Sequence, residues 1–282
     1  YGTSLLWPIS DIRISWNIIS IIDPVFTSII ITFFFLCIFS KSIKFMKIGL
    51  TLSFSYLFLC FIQYHQIKSF VISNSKDRGH KIERILLNPT IGNNILWRTI
   101  YQSDGYYFID GVYKPIFSKA KIINGTKIKV INKETIYPEL DQNSKQREDI
   151  RRFSFFSQDY IFLHPDFDNV IADLRYGTLP YDYKSLWGIK INSKNKDQHA
   201  KFVSLRDFKK KDYENFWNLL KGNILQEMQE VSNVKTFSGP MGMGLAKSYV
   251  QNKQKICIYN TINGQDELIF QNTEKKCPKN FE

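Results

Sequence analysis

A chain of 282 residues with 44% apolar and 23% charged residues has the length and apolar content for one or two domains with a sizeable core. Its formal charge of +12 favours contact with anionic surfaces. No RNA- or DNA-binding motif accompanies that charge, so nucleic acid is set aside in favour of lipid headgroups and a bilayer.

In chain order, the polar and turn-forming opening Tyr1–Ser10 leads into apolar sequence concentrated between Ile14 and Val71. The chain begins with Tyr1 rather than Met, which reads as an entry in mid-protein. A first membrane helix is expected over about Trp16–Phe39, with Pro24 early in it and an unbroken apolar run from Ile29 to Leu36. A second, from Ile48 to about Tyr64, carries no charge. Spanning a bilayer takes roughly 20 mostly apolar residues, and the two are joined by a basic loop containing Lys41, Lys44 and Lys47. A transmembrane hairpin is therefore expected over residues 1–71, against the alternative of two core helices in a large soluble protein. The lysine-rich loop reads as cytoplasmic, which places the long C-terminal region outside. Lys68, Lys76, Arg78, Lys81 and Arg84 argue the other way, but long domains follow the charge rule poorly.

Ile67–Gly79 reads as a polar continuation or linker. A mostly antiparallel β-rich extramembrane domain is expected over 80–235, making an α+β membrane protein. Its strands are placed at Ile82–Leu87, Ile95–Tyr101, Tyr106–Ile109, Lys127–Ile131, Tyr160–Leu163, Val170–Arg175 and Leu186–Ile191. Asp104-Gly105, Asp110-Gly111 and Asn124-Gly125 carry turn chemistry. Tyr137–Glu148 reads as a loop or short helix. Ser204 and Asp207 have capping-box spacing ahead of a helix whose stripe is Phe216, Leu220, Ile224, Met228 and Val231. That helix packs on the β-domain or lies in the membrane interface. Residues 236–282 form a linker and a hairpin tail, Lys255–Tyr259 and Leu268–Phe270, with Asn263-Gly264 at its turn.

Few groups suit catalysis. His65, His80, His164 and His199 are scattered without ligand spacing, and His164-Pro165-Asp166 reads as a turn. Cys37 and Cys60 are small core residues, whereas Cys257 and Cys277 can pair if the tail lies in an oxidising compartment. Gly239–Gly244 followed by Lys247-Ser248 misses phosphate-loop spacing, because Leu245-Ala246 intervene. Asp166-Phe167-Asp168-Asn169 lacks the rest of a calcium loop. Asp23, at the apolar end of the first helix, is either a cap ahead of Pro24 or a metal-ligating carboxylate. Arg13 beside it either holds a phosphate or sits at the headgroups. Asp173 and Arg175, two apart in a strand, face the same way and either pair locally or build a polar pocket with Arg98.

Several short runs carry a resemblance. Tyr1-Gly2-Thr3, Leu5-Leu6-Trp7-Pro8, Arg13 and Ile22-Asp23-Pro24 resemble one stretch of the YdjM-like (LexA-regulated) membrane-bound metal-dependent hydrolases. Leu96-Trp97-Arg98, Arg151-Arg152-Phe153-Ser154 and Ala172–Gly177 are similar to later landmarks of that family, in the same order, over roughly Tyr1 to Ile191. The resemblance implies a bacterial inner-membrane protein in which a divalent metal, zinc being the candidate, activates water to attack an ester or phosphoester. The substrate would be a small molecule, lipid or envelope component. The family's His-rich motifs have no counterpart in this sequence. Asp23 would be the metal ligand, with Tyr1, Arg13, Arg98, Asp173 and Arg175 lining the site. The rival expectation is a non-catalytic, membrane-anchored β-domain that binds components of the cell envelope.

Overall fold

The structure, a computed structural model, describes residues 2–3, 6–10, 14–193, 195, 198–224, 244–251, 254–261, 264–270 and 277. It divides into two compact units, Tyr1–Asn223 and Ile224–Glu282. The division falls earlier than the expected boundary at 235, and the first unit includes the apolar helices.

Helix α1 runs Pro24–Ser40 and α2 runs Ile43–Asp77. The expected start at Trp16 is corrected to Pro24. Proline has no N–H to contribute to a preceding turn and suits the first helical position, while Asp23 supplies the cap. Lys41, in the left-handed region, closes α1. Its 17 residues give about 25 Å of helix. The second helix starts earlier and ends later than expected, absorbing most of the proposed linker. Among the described residues, α2 is the helix long and apolar enough to cross a membrane. Its small residues Gly49 and Ser53 are buried against α1, and a Cβ on Gly49 would lie 2.5 Å from that of Phe33. Such small residues let two apolar helices approach closely. The opposite faces remain exposed and apolar, with Ile31, Phe34, Ile38, Leu50, Phe54 and Phe58 among them.

The C-terminal half of α2 changes environment. Ile67 and Val71 pack on Leu87, Trp97, Tyr101 and Val112 of an antiparallel sheet. That sheet comprises β1 (Arg84–Pro89), β2 (Leu96–Ser103), β3 (Tyr106–Tyr113) and β4 (Lys121–Lys129), in that order. Its other face, through Leu86, Ile100, Tyr107, Ile109 and Ile128, meets Tyr160, Phe162, Ala172 and Leu174. These come from and around a second antiparallel sheet, β5 (Ile161–Leu163), β6 (Val170–Asp173), β7 (Trp187–Lys190) and β8 (Lys201–Ser204). The outer face of that sheet carries Ile161, Ile171, Trp187 and Ile189 onto Ile150 and Phe153 of α3 (Lys145–Phe156). The result is four layers, α2, sheet, sheet and α3, with side chains alternating between the two faces of each strand. Helix α4 (Lys210–Leu220) completes the unit.

Asp104 and Gly105 join β2 to β3 with φ of 50° and 74°, as a tight hairpin turn requires. The other two predicted turns are corrected. Asp110-Gly111 lies inside β3 and Asn124-Gly125 inside β4, where the register shifts between Ile109 and Gly111. A Cβ on Gly125 would meet the carbonyl oxygens of Ile109 and Tyr181 at 2.0 and 2.2 Å, so glycine is needed there for close approach rather than for a turn. The loop–helix choice over Tyr137–Glu148 resolves into a loop followed by α3, capped by Ser144. Ser204 ends β8, and α4 begins at Lys210, where the Asp212 carboxylate accepts from the Lys209 N–H at 3.0 Å. The helix stops at Leu220; Ile224 lies beyond it, and Met228 and Val231 lie outside the described residues.

In the second unit, β9 (Gly244–Gln251), β10 (Gln254–Thr261) and β11 (Gly264–Phe270) form an antiparallel sheet with β10 central. Lys247 and Ser248 therefore sit in a strand, where a linker was expected, and Gly239–Met243 and Asn263 lie outside the described residues. A disulfide joins Cys257 to Cys277.

Candidate functional site

In the first unit, three segments far apart in sequence meet around a cavity of about 540 Å³. One is the stretch from Ser15 to Ile21 that leads into α1; the second is the end of β1 from Asn88 to Ile91. The third is the connection from Arg175 to Trp187, with Arg206, Phe208 and Phe216 closing the far wall. The entry stretch is stitched in place by three bonds. The Gly92 N–H donates to Ser20 Oγ at 3.0 Å and to the Ile22 carbonyl at 3.1 Å, and Asn94 Nδ2 donates to the Ile18 carbonyl at 3.0 Å. Gln63 of α2 donates to the carbonyls of Asn94 and Lys114 and accepts from Lys114 Nζ, which ties the same corner to the helix.

Arg98 reaches the cavity from β2 and is buried. Its Nε and Nη2 donate to the Leu174 carbonyl at 3.2 and 3.0 Å, and Nη1 donates to that of Leu179 at 2.8 Å. A Cβ on Gly177 would fall 2.7 Å from Nη1, so that glycine makes room for the guanidinium. Burial pulls the Arg98 pKa down to about 10, against the fields of Asp182 and Asp173.

Arg175 is locked differently. Its Nη2 lies 2.7 Å from Asp173 Oδ2, with side-chain exposures of 2% and 1%. Asp173 also accepts from Arg175 Nε, the Arg175 N–H and Trp187 Nε1. The expected strand geometry is corrected here, because β6 ends at Asp173 and Arg175 lies past it. The pair is buried, so the small value expected of an exposed ion pair does not apply. Arg175 stacks near Phe156 and Tyr176, and Arg206 lies 5.9 Å from the Trp187 ring centre.

Asp23 sits elsewhere, at the foot of α1. Its Oδ1 accepts the Phe26 N–H at 3.0 Å and its Oδ2 accepts the Tyr56 hydroxyl at 2.8 Å. Tyr1 and Arg13 lie outside the described residues. Among the described residues, no group of three or more His, Cys, Asp or Glu side chains is placed to hold a metal ion. The residues described do not fit a divalent metal, and no catalytic step is drawn through one.

Of the residues marked in the sequence, Arg98 and Arg175 line one cavity and Asp173 fixes the second of them. Sequence reasoning does not mark Trp187, Arg206 and Phe208 as site residues, and it reads Phe216 only as part of a helix stripe and Tyr176 only as part of the Ala172–Gly177 run. One signal existed: Arg206 is the only arginine after Arg175, in a stretch otherwise served by lysine. Of the runs that carried the family resemblance, two, around Arg98 and Ala172–Gly177, converge on this cavity, and Ile22-Asp23-Pro24 begins one residue past its wall. The Arg151–Ser154 run instead serves α3, where Arg151 pairs with Glu134 and Phe153 fills the core. Comparison with protein-family models, curated proteins and solved structures finds no match. The likeness to the hydrolases therefore rests on the short runs alone.

A carboxylate with a shifted pKa, Asp182, acts on the cavity's Arg98. Burial pushes Asp182 up to about 6, against the pull of Arg98 on β2 and of Lys184 on its own loop, with Asp212 of α4 adding to the rise. A carboxyl whose pKa rises on folding is favoured in its protonated form, so its ionisation weakens the fold as pH climbs through that range. Asp182→Asn is expected to melt higher than wild type at pH 8. The difference should shrink as pH falls through about 6 and be nearly closed at pH 4, close to the ordinary aspartate value. Thermal melts at pH 8 and pH 4 measure it, and a constant offset would contradict the assignment.

Proposed function

We propose that the chain is a membrane-anchored β-rich protein that binds a lipid or envelope component in the cavity beside its first helix. The observation that carries this reading is the position of the cavity: its wall, Ser15–Ile21, runs directly into the apolar helix pair. In this reading α1 and the first half of α2 form a hairpin through a bacterial inner membrane. The turn at Lys41 and the start of α2, with Lys44 and Lys47, lie in the cytoplasm, and the sandwich lies at the opposite, extracytoplasmic end. The exposed apolar faces of both helices support insertion, and the Cys257–Cys277 disulfide suits an oxidising compartment. The denatured, unreduced full chain is expected to present the thiols of Cys37 and Cys60 alone, and all four after reduction, by maleimide labelling and mass measurement.

A plug tests the binding reading. Thr178→Trp fills the cavity from its wall. Lipids that copurify with the full chain in neutral detergent should be detected by native mass spectrometry in wild type and lost in this variant. Equal retention in both would refute the reading.

The convergence of two landmark runs on the cavity favours a second reading, metal-dependent hydrolysis of an ester or phosphoester held there. It requires ligands beyond the described residues. Its test is turnover of a chromogenic phosphoester by the full chain, with stoichiometric divalent metal and loss on chelation. Ligand binding without chelator-sensitive turnover leaves the binding reading alone.

A further inference from the structure

We infer that the cavity selects an acid group, phosphate or carboxylate, carried on an apolar body. This rests on the cavity being the binding site and adds the chemistry of what it takes.

The first argument is charge balance. Three arginines line the cavity, and its lining includes no Asp, Glu or Lys. Arg175 is neutralised by Asp173 within hydrogen-bond distance. Arg98 hydrogen-bonds to carbonyl oxygens and to no carboxylate; Asp182 and Asp173 act on it through space without contacting it. Those bonds use three of its N–H groups, while a guanidinium carries about five. Arg206 rests beside the Trp187 ring and makes no ion pair with a described residue. Three guanidinium groups against the two carboxylates around them, Asp173 and Asp182, leave the site with excess positive charge, and an anion arriving in the cavity balances it. Guanidinium groups match the planar or tetrahedral oxygens of carboxylate and phosphate.

The second argument is the rest of the wall. Ile21, Pro89, Ile91, Leu186, Phe208 and Phe216 give the cavity a broad apolar lining. A small free anion would leave this surface wetted and gain nothing from it, whereas an acid with an apolar body covers it. The third is geography. Ile21 lines the cavity and Ile22, beside it, is exposed immediately before Asp23 and Pro24. Exposed apolar surface on Ile21 and Ile22 thus leads from the cavity wall to the start of α1, on the side where the apolar part of a ligand would emerge.

The test uses the full chain in neutral detergent and four probes: decyl phosphate, decanoate, decanol and inorganic phosphate, with bound fractions read by native mass spectrometry. Decyl phosphate or decanoate should bind, and decanol and inorganic phosphate should not. Arg206→Gln should weaken the acid probe about tenfold, the loss expected of one charge-assisted contact, because Arg206 is exposed and its replacement leaves the core intact. Thr178→Trp should abolish binding. If decanol binds as tightly as decyl phosphate and is lost in Thr178→Trp, the cavity binds ligand but acid selection is overturned. If inorganic phosphate matches decyl phosphate, the apolar body is overturned. If no probe responds to Thr178→Trp, the binding reading itself fails and takes this inference with it.

Discussion

Asp173→Ala is expected to destabilise the unit Tyr1–Asn223 by about 3–5 kcal/mol, the loss typical when one partner of a buried ion pair is removed. The carboxylate accepts from Arg175 Nε and Nη2, from the Arg175 N–H and from Trp187 Nε1, and its backbone carbonyl accepts from Ser185 Oγ. Alanine would strand a guanidinium that is 2% exposed, together with the indole N–H. It would also free the start of the connection that carries Arg175, Tyr176 and Gly177 into the cavity. Urea denaturation of the full chain in neutral detergent, followed by fluorescence, measures the loss. A paired replacement separates electrostatics from packing. Asp173→Leu with Arg175→Met should lose much less than Asp173→Ala, since it leaves no uncompensated charge. A double variant as unstable as the single would show that shape, not charge, holds the connection. By contrast, Arg206→Gln should fall within about 0.5 kcal/mol of wild type, as an exposed side chain outside the core.

Sequence reasoning reaches the layers of this molecule better than their edges. The strand cores around Leu86-Leu87, Ile100-Tyr101 and Ile171-Ala172 are legible as apolar runs because both faces of each sheet are covered. The end of α2 is less so. Its Lys and Ser residues read as a linker, yet one face bears Ile67 and Val71 onto the sheet while Ser69, Ser73 and Lys76 are exposed. Asp110-Gly111 and Asn124-Gly125 have the composition of turns. What sets their conformation is the approach of the Tyr181 backbone and the bond from the Gly125 N–H to Asp110 Oδ1, both from sequence-distant partners. Local chemistry cannot report a contact made across the fold.

The cavity divides in the same way. Arg98 and Asp173 stand out as charges in apolar strands, and Arg175 as one two residues past a strand's end, where a buried charge needs a partner. Phe208 and Phe216 resemble any loop or amphipathic-helix aromatic until the wall they complete is known. Asp23 shows the reverse case. It stands out in sequence as a carboxylate beside an apolar helix, and the fold gives both of its oxygens ordinary work.

That work sets the second large effect. Asp23→Ala removes an N-cap, worth about 0.5–2 kcal/mol, and leaves the Tyr56 hydroxyl of the neighbouring helix without its acceptor, worth about 1–3 kcal/mol. Asp23→Asn should retain most of this stability, because the amide oxygen still caps Phe26 and its nitrogen can donate to the Tyr56 hydroxyl. Tyr56→Phe should recover part of the Asp23→Ala loss in a double-mutant cycle, with a coupling of about 0.5–3 kcal/mol. Thermal unfolding in neutral detergent reads the three single variants and the double variant, and elemental analysis of each reads any bound metal. A ligand to a divalent cation behaves otherwise: neutral asparagine would then be nearly as damaging as alanine, metal content would fall in both, and Tyr56→Phe would have little coupling to either. The two hydrogen bonds at the foot of α1 favour the cap, and the asparagine variant is where the two accounts part.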